Sequence, residues 1–133
     1  MRWLQLRGQY TFLDTRVTAT QDALNPSTGV GQELPRRPRH SGAVDATAVY
    51  RRAFVNVNAT FVGERQDSDD IGLGIVRNPG YRKVSLGGSY SLDKSVDLFV
   101  RIDNLSNTSY QEVLGYPALS RNALAGITFH WKH

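Results

Sequence analysis

The sequence predicts an all-β fold, an antiparallel up-and-down meander of about six long strands. Three observations predict it. First, apolar side chains recur at every second position, as in VDLFVRIDN. There Val96, Leu98, Val100 and Ile102 share one parity, and Asp97, Arg101 and Asp103 the other. That is the period of a pleated strand, and almost no stretch carries the period of a helix. Second, the segments run to about ten residues, where soluble strands average about 5–6. Third, the connections between them alternate long and short.

The elements follow in order. Residues 2–20 set Leu4, Leu6, Gly8, Tyr10 and Phe12 against Trp3, Gln5, Arg7, Gln9 and Thr11. DALNPSTGVGQELPRRPRH (22–40) is rich in Gly, Pro and Asn and reads as a long loop. In residues 41–50, Val44, Ala46, Ala48 and Tyr50 oppose Asp45 and Thr47, and RRA makes a tight connection. Residues 54–66 oppose Val55, Val57, Ala59 and Phe61 to Asn56, Asn58 and Thr60, and a polar, Gly-rich loop spans 67–80. Residues 81–91 alternate Val84, Leu86, Gly88 and Tyr90 with Lys83, Ser85, Gly87 and Ser89. LDKS is a turn, since Asp and Ser bond their own backbone. The strand quoted above comes next, then a loop over 105–119. A last strand, 120–131, sets Ala123, Ala125, Ile127, Phe129 and Trp131 against Asn122, Leu124, Gly126, Thr128 and His130.

In such a meander alternate connections share an end, so all long loops lie at one end and all tight turns at the other. Transmembrane β-barrels have this asymmetry. Ten residues at ~3.3 Å rise, tilted by ~40–45°, cover ~24 Å, close to the ~25 Å apolar band of an outer-membrane barrel. Positions such as Asn56, Asn58, Ser85, Ser89, Asp97, Arg101 and Asp103 are too polar for a dry core and suit a wet or plugged lumen. Tyr10, Phe12, Tyr50, Tyr90 and Trp131 fall toward strand ends, where aromatic girdles sit. A soluble antiparallel sheet with one wet face alternates too. A soluble β-sandwich that binds a ligand therefore stays as an alternative, beside a passive porin or an adhesin barrel. Six strands cannot close a membrane barrel, which needs about 8. The chain is expected to supply part of a larger one.

Composition narrows the function classes. The net charge is +4, with no cysteine among 133 residues, which excludes a disulfide framework and Cys-based metal or thiol chemistry. The basic run RRPRH (36–40), with Arg51 and Arg52, reads as solvated loop and strand end, not as a nucleic-acid surface. MRWLQLRGQY is too polar for a secretory leader, so if the chain is exported its leader is expected to precede Met1. Glu64, Asp67, Asp69 and Asp70 lack the spacing of a calcium loop. His130 and His133 are three apart, on opposite faces of a strand, and IGLGIV lacks the third glycine of a nucleotide fingerprint. No catalytic residue, metal site or cofactor is expected, and the chain reads as no enzyme.

The last third carries a resemblance. NPGYRKVSLGGSYSL (78–92) and VRIDNLSNTSYQEVLGYPALSRNALAGITFHW (100–131), with LPRRPRHSG and FVGERQD upstream, resemble the carboxyl-terminal end of a TonB-dependent outer-membrane receptor. The likeness is to the vitamin B12 and siderophore receptor type and covers nearly the whole chain. It implies that residues 1–133 are the final strands of a barrel of about 22, without the plug domain and the first sixteen. It also implies tight turns toward the periplasm, long loops outside, and residence in the outer membrane of a Gram-negative cell. The implied ligand is a siderophore or cobalamin. The implied partners are the TonB energy-coupling complex, through the plug, the barrel-assembly machinery, through the last strand, and outer-membrane lipid. Two departures stand out. Lys132 and His133 follow the terminal aromatic Trp131, and Leu119-Ser120-Arg121 replaces the family's common Pro-Gly-Arg. Asp103, Asn104 and Asn107 are expected to shape the turn after their strand. Tyr110, Tyr116 and Arg121 are the outer-loop candidates for ligand contact, and Arg121 is also expected to pair with a lumen carboxylate such as Asp103.

Overall fold

The computed structural model describes residues 2–21, 24–69 and 74–131. The expectations for Met1, Asp70, Lys132 and His133 lie outside those residues. Among the described residues ten strands form: β1 (Arg2–Phe12), β2 (His40–Tyr50), β3 (Ala53–Val62), β4 (Arg65–Ser68), β5 (Ile75–Asn78), β6 (Tyr81–Ser91), β7 (Val96–Asp103), β8 (Gln111–Val113), β9 (Tyr116–Pro117) and β10 (Asn122–Phe129). Six of them make one antiparallel sheet in the order β1-β2-β3-β6-β7-β10. The other four form two small hairpins, β4-β5 and β8-β9, inside long loops. The six-strand meander is thus as the alternation predicts.

The register keeps the two faces distinct across the whole sheet. One row runs Leu4, Ala48, Val55, Gly88, Val100, Ala125, each opposite the next. The adjacent row runs Gln5, Thr47, Asn56, Gly87, Arg101, Leu124. A slip of one residue in any pair would put charges among the aliphatics, so the pattern itself fixes the pairing.

No layer covers either face. Among the described residues no hydrophobic side chain is buried, and those that are buried are Arg65, Gln66, Asp67, Asn78 and Asn104. This inverts the arrangement of a water-soluble domain, where the apolar residues lie inside. Leu4, Leu6, Val44, Val57, Leu98 and Ile127 stand in the open on one side of the sheet. A β-sandwich would bury that face against a second sheet. Among the described residues no helix is long and apolar enough to cross a membrane.

Several boundaries differ from the sequence reading. β1 ends at Phe12, paired with His40, although alternation continues toward residue 20. Past Phe12 the chain turns into its own loop, where the Val17 amide donates to Gln32 O and the Gly31 amide to Val17 O, so no neighbouring strand remains to pair with. The strand expected over 54–66 stops at Val62, and Arg65–Ser68 leaves the sheet to pair with Ile75–Asn78. The polar face is also less uniform than expected. Near the tight turns it carries a row of Trp3, Val49, Phe54, Ser89 and Phe99 ending at Gly126. Phe99 lies over that glycine, where a Cβ would stand 2.6 Å from the ring.

The tight turns are as short as RRA and LDKS suggest. Tyr50 pairs directly with Ala53, and Arg51 takes a left-handed φ of 54°. The Ser95 amide donates to Asp93 Oδ1 at 2.6 Å. Arg52 Nη1 donates to Leu92 O at 2.7 Å, which ties the two turns together.

Candidate functional site at the long-loop end

The site begins with a hairpin that pairing alone would not stabilise. β4 and β5 are short and polar, but their register sets Arg65 opposite Asn78 and Asp67 opposite Val76. The side of β4 bearing Arg65 and Asp67 faces the other loops. Asp67 is completely buried and accepts four hydrogen bonds. Its donors are the Leu114 amide at 3.0 Å, Arg36 Nε at 2.9 Å, the Ser68 amide at 2.9 Å and Asn78 Nδ2 at 3.4 Å. Arg36 comes from the loop 13–39 and Leu114 from the loop 104–121. One carboxylate therefore joins all three long loops. Burial alone would raise its pKa, but the donors, led by the Leu114 amide and then Arg36, outweigh it and hold the carboxyl below its ordinary value.

Arg65, 4% exposed, works beside it. Its Nη2 donates to Gln111 O at 2.7 Å and Glu112 O at 2.8 Å, and Asn78 Nδ2 reaches the same Gln111 O at 3.2 Å. β8 is thereby held against β4 and β5. Asn104 does the same for the ends of the third loop. It sits at φ 53°, donates to Thr108 O and Leu119 O, and accepts from the Thr108 amide. Asn107, at φ 52°, accepts from the Arg121 amide. Both asparagines shape the turn, as expected. Asp103 does not take part; its carboxylate pairs with Arg101 on its own strand at 3.1 Å.

The consequence is a fixed group of polar side chains at the mouth of the polar face. Tyr110 stacks on Tyr81 with ring centroids 4.1 Å apart. Lys83 Nζ donates to Tyr110 Oη at 3.3 Å, and Tyr81 Oη to Glu112 Oε1 at 3.5 Å. Below them opens a hollow of about 700 Å³, lined by Asn56, Asn58, Lys83, Arg101, Asp103 and Glu112 among others. It offers cations, carboxylates and amides on one concave wall. That chemistry can hold a polar or charged ligand by several hydrogen bonds.

Of the three candidates, Tyr110 belongs to this group. Tyr116 lies on β9, 75% exposed, beside a separate hollow shared with Glu112, Val113 and Ala118. The pairing expected for Arg121 is corrected. Asp103 is taken by Arg101, and among the described residues Arg121 contributes its backbone amide to Asn107 and no ion pair. Sequence reasoning missed Arg65, Asn78, Tyr81, Lys83 and Glu112 as site residues. Asp67 was weighed as a calcium ligand, but its oxygens are spent on donors, and Glu64 pairs with Arg77 at 2.6 Å. FVGERQD held a signal: Arg65 and Asp67 at alternate positions, which put both on one side of a short strand.

Comparison with known proteins gives a consistent picture. The sequence profile of the family described as "TonB dependent receptor-like, beta-barrel" matches residues 1–105. The vitamin B12 transporter BtuB of Vibrio cholerae serotype O1 is 29% identical over 103 residues, covering 76% of this chain and 17% of the transporter. The siderophore receptor PiuA of Acinetobacter baumannii superposes with a TM-score of 0.76 at 20% identity, over 95% of this chain and 19% of the receptor. The ferric-catecholate import receptor Fiu of E. coli K12 gives 0.74 at 20% identity, over 96% and 19%. The chain thus spans about a fifth of the length of the proteins it matches. At these identities the structural likenesses speak for the fold.

Proposed function

Since this chain belongs to the TonB-dependent receptor β-barrel family, we propose that it forms the closing wall of a larger outer-membrane barrel that takes up a metal chelate. The chelate is a siderophore–iron complex or a cobalamin, and the energy comes from a TonB-type coupling complex acting through a plug domain. The last strand is the element the barrel-assembly machinery would engage. The wall's own role is to face lipid on one side, line the lumen on the other, and present the three loops at the outer mouth. It performs no covalent chemistry.

The observation that carries this reading is the buried polar junction at Asp67. A passive pore needs only that its mouth stay open. Here three loops are locked to one another above a concave polar wall, and Tyr81, Tyr110, Lys83 and Glu112 are held in fixed positions. Fixed donors and acceptors lower the ordering cost of binding, which serves capture of a scarce solute. The relatives named above for vitamin B12 and ferric-catecholate uptake support the class of ligand, and the wall's mixed charge favours a polar chelate.

The experiment is uptake of radiolabelled iron–siderophore complexes and of labelled cobalamin by cells with and without the gene. Accumulation that needs the gene and collapses when the proton-motive force is dissipated is the expected result. Gene-dependent entry that survives the uncoupler would mean a passive porin instead.

A further inference from the structure

The apolar face of the sheet breaks its own rule at one place. Among the described side chains of the six strands, Arg82 and His40 are the ones on that face with a basic or acidic group. The register puts them there: Tyr10 faces Gly42, Gly42 faces Phe61 and Phe61 faces Arg82, while Phe12 faces His40. Both lie at the long-loop end, beyond the aliphatic band of Val44, Ala59, Val57 and Leu86. The Arg82 guanidinium stands 5.7 Å over the Phe61 ring. His40 Nδ1 and Tyr10 Oη share a 2.6 Å hydrogen bond, and Phe12 packs against the imidazole with centroids 5.2 Å apart.

Between these two groups is an open hollow of about 850 Å³, lined by Tyr10, His40, Phe61 and Arg82, with Gly63 and Gly80 as bare backbone. The backbone there has no room for more. A Cβ at Gly80 would meet Val62 O at 2.5 Å, and one at Gly63 would meet His40 O at 2.8 Å. Glu64 also borders the hollow, but Arg77 neutralises it at 2.6 Å. Among the described residues no carboxylate pairs with Arg82, whose side chain is exposed. Nearby Arg39 is spent on Asp14 and Glu33. The hollow therefore presents a guanidinium with no carboxylate partner among the described residues, an imidazole and the aromatic rings of Tyr10, Phe61 and Tyr81, directly above an acyl-chain-compatible surface.

We propose that this hollow binds the anionic phosphate headgroup of a membrane lipid in the leaflet at the long-loop end. Arg82 supplies the charge-assisted contact, which suits phosphate through its planar fork. His40 and Tyr10 close the opposite side, and the lipid's chains run down the face past Phe61 and Ala59. The proposal rests on reading the apolar face as lipid-exposed, so its test separates the two.

The test uses the full-length protein in neutral detergent, with native mass spectrometry after addition of phosphatidylglycerol or phosphatidylcholine. Phosphatidylglycerol is expected to be retained at one site in preference, and Arg82→Ala to lower the retained fraction about tenfold. Arg82→Lys is expected to fall between, and excess inorganic phosphate to compete poorly because it lacks chains. In parallel, a nitroxide at Val57→Cys, with any cysteine outside these 133 cysteine-free residues replaced by serine, reports oxygen against polar-relaxant access in bilayers. An oxygen-accessible Val57 label with equal retention of both lipids, or with retention unaltered in Arg82→Ala, overturns the headgroup site alone. A water-exposed Val57 label overturns the lipid-facing reading beneath it.

Discussion

At the scale of single residues, Asp67 decides more than any other side chain. A carboxylate with no exposure to water is costly unless its lone pairs are filled, and here donors from three loops fill them. Its folded pKa lies below the ordinary value of about 3.9. The sign follows. A depressed carboxyl stabilises the fold fully above the unfolded pKa, and that contribution is lost as pH falls through the lower, folded one. The loop junction should therefore hold through mildly acid conditions and open only below the usual aspartate range. Asp67→Asn keeps the shape but turns one of the two acceptor oxygens into a donor, facing either the Leu114 amide and Asn78 or Arg36 and the Ser68 amide. Leaving such a buried group unpaired costs about 1–3 kcal/mol. Hydrogen exchange should show the Leu114 and Ser68 amides at least about tenfold faster in the variant, with β3 amides unaltered. Unchanged protection at Leu114 would show that the junction does not hold the loop. Little of this was visible in the sequence. Asn104 and Asn107 were legible because turn chemistry is local, whereas the donors to Asp67 lie 31 and 47 positions away. The partner of Arg121 was misjudged for the same reason: Asp103, on the neighbouring strand, pairs instead with Arg101, two residues away on its own strand.

At the scale of elements, the long strands were legible and the short ones were not. Eight to eleven alternating residues carry a strong period. The four residues of RQDS and of IVRN carry almost none, and their pairing is set by the loops they lock. The end of β1 was overrun because alternation continues in residues 13–18, yet a strand lasts only as long as a partner does. The same period makes a sharp prediction about faces. Val57 and Asn58 are neighbours on β3, opposite Leu86 and Ser85 on β6. If the aliphatic face meets lipid, Val57→Arg should destabilise the folded barrel by about 2–4 kcal/mol, the cost of a cation near the bilayer midplane. Asn58→Arg, on the wet side, should cost far less, with Asp45 beside it to pair with. Denaturant-dependent unfolding of the full-length protein in lipid vesicles measures both. Equal costs at the two positions would mean that both faces see the same medium.

At the scale of the whole molecule, the sheet has two ends and no second layer. Among the described residues β1 pairs only with β2, and β10 only with β7. Each therefore presents a row of backbone groups without a strand on its outer side. In hydrocarbon an unpaired backbone group costs several kcal/mol, and in water a bare edge recruits other chains. Neither medium suits this sheet by itself, which is the physical ground for the proposal of a larger closed barrel. The argument yields a measurement. In the isolated 133-residue chain in detergent, alternate amides of β10, those pointing away from β7, should exchange quickly, while the amides of β3 and β6 stay protected between two neighbours. In the full-length protein the same β10 amides should become as slow as those of β3, because the strand beyond now pairs with them. The contrast isolates closure from mere insertion, since detergent covers the apolar face in both samples. If the outward amides of β10 exchange as fast in the full-length protein as in the isolated chain, the edge is not closed by a neighbouring strand, and this sheet is no part of a barrel wall.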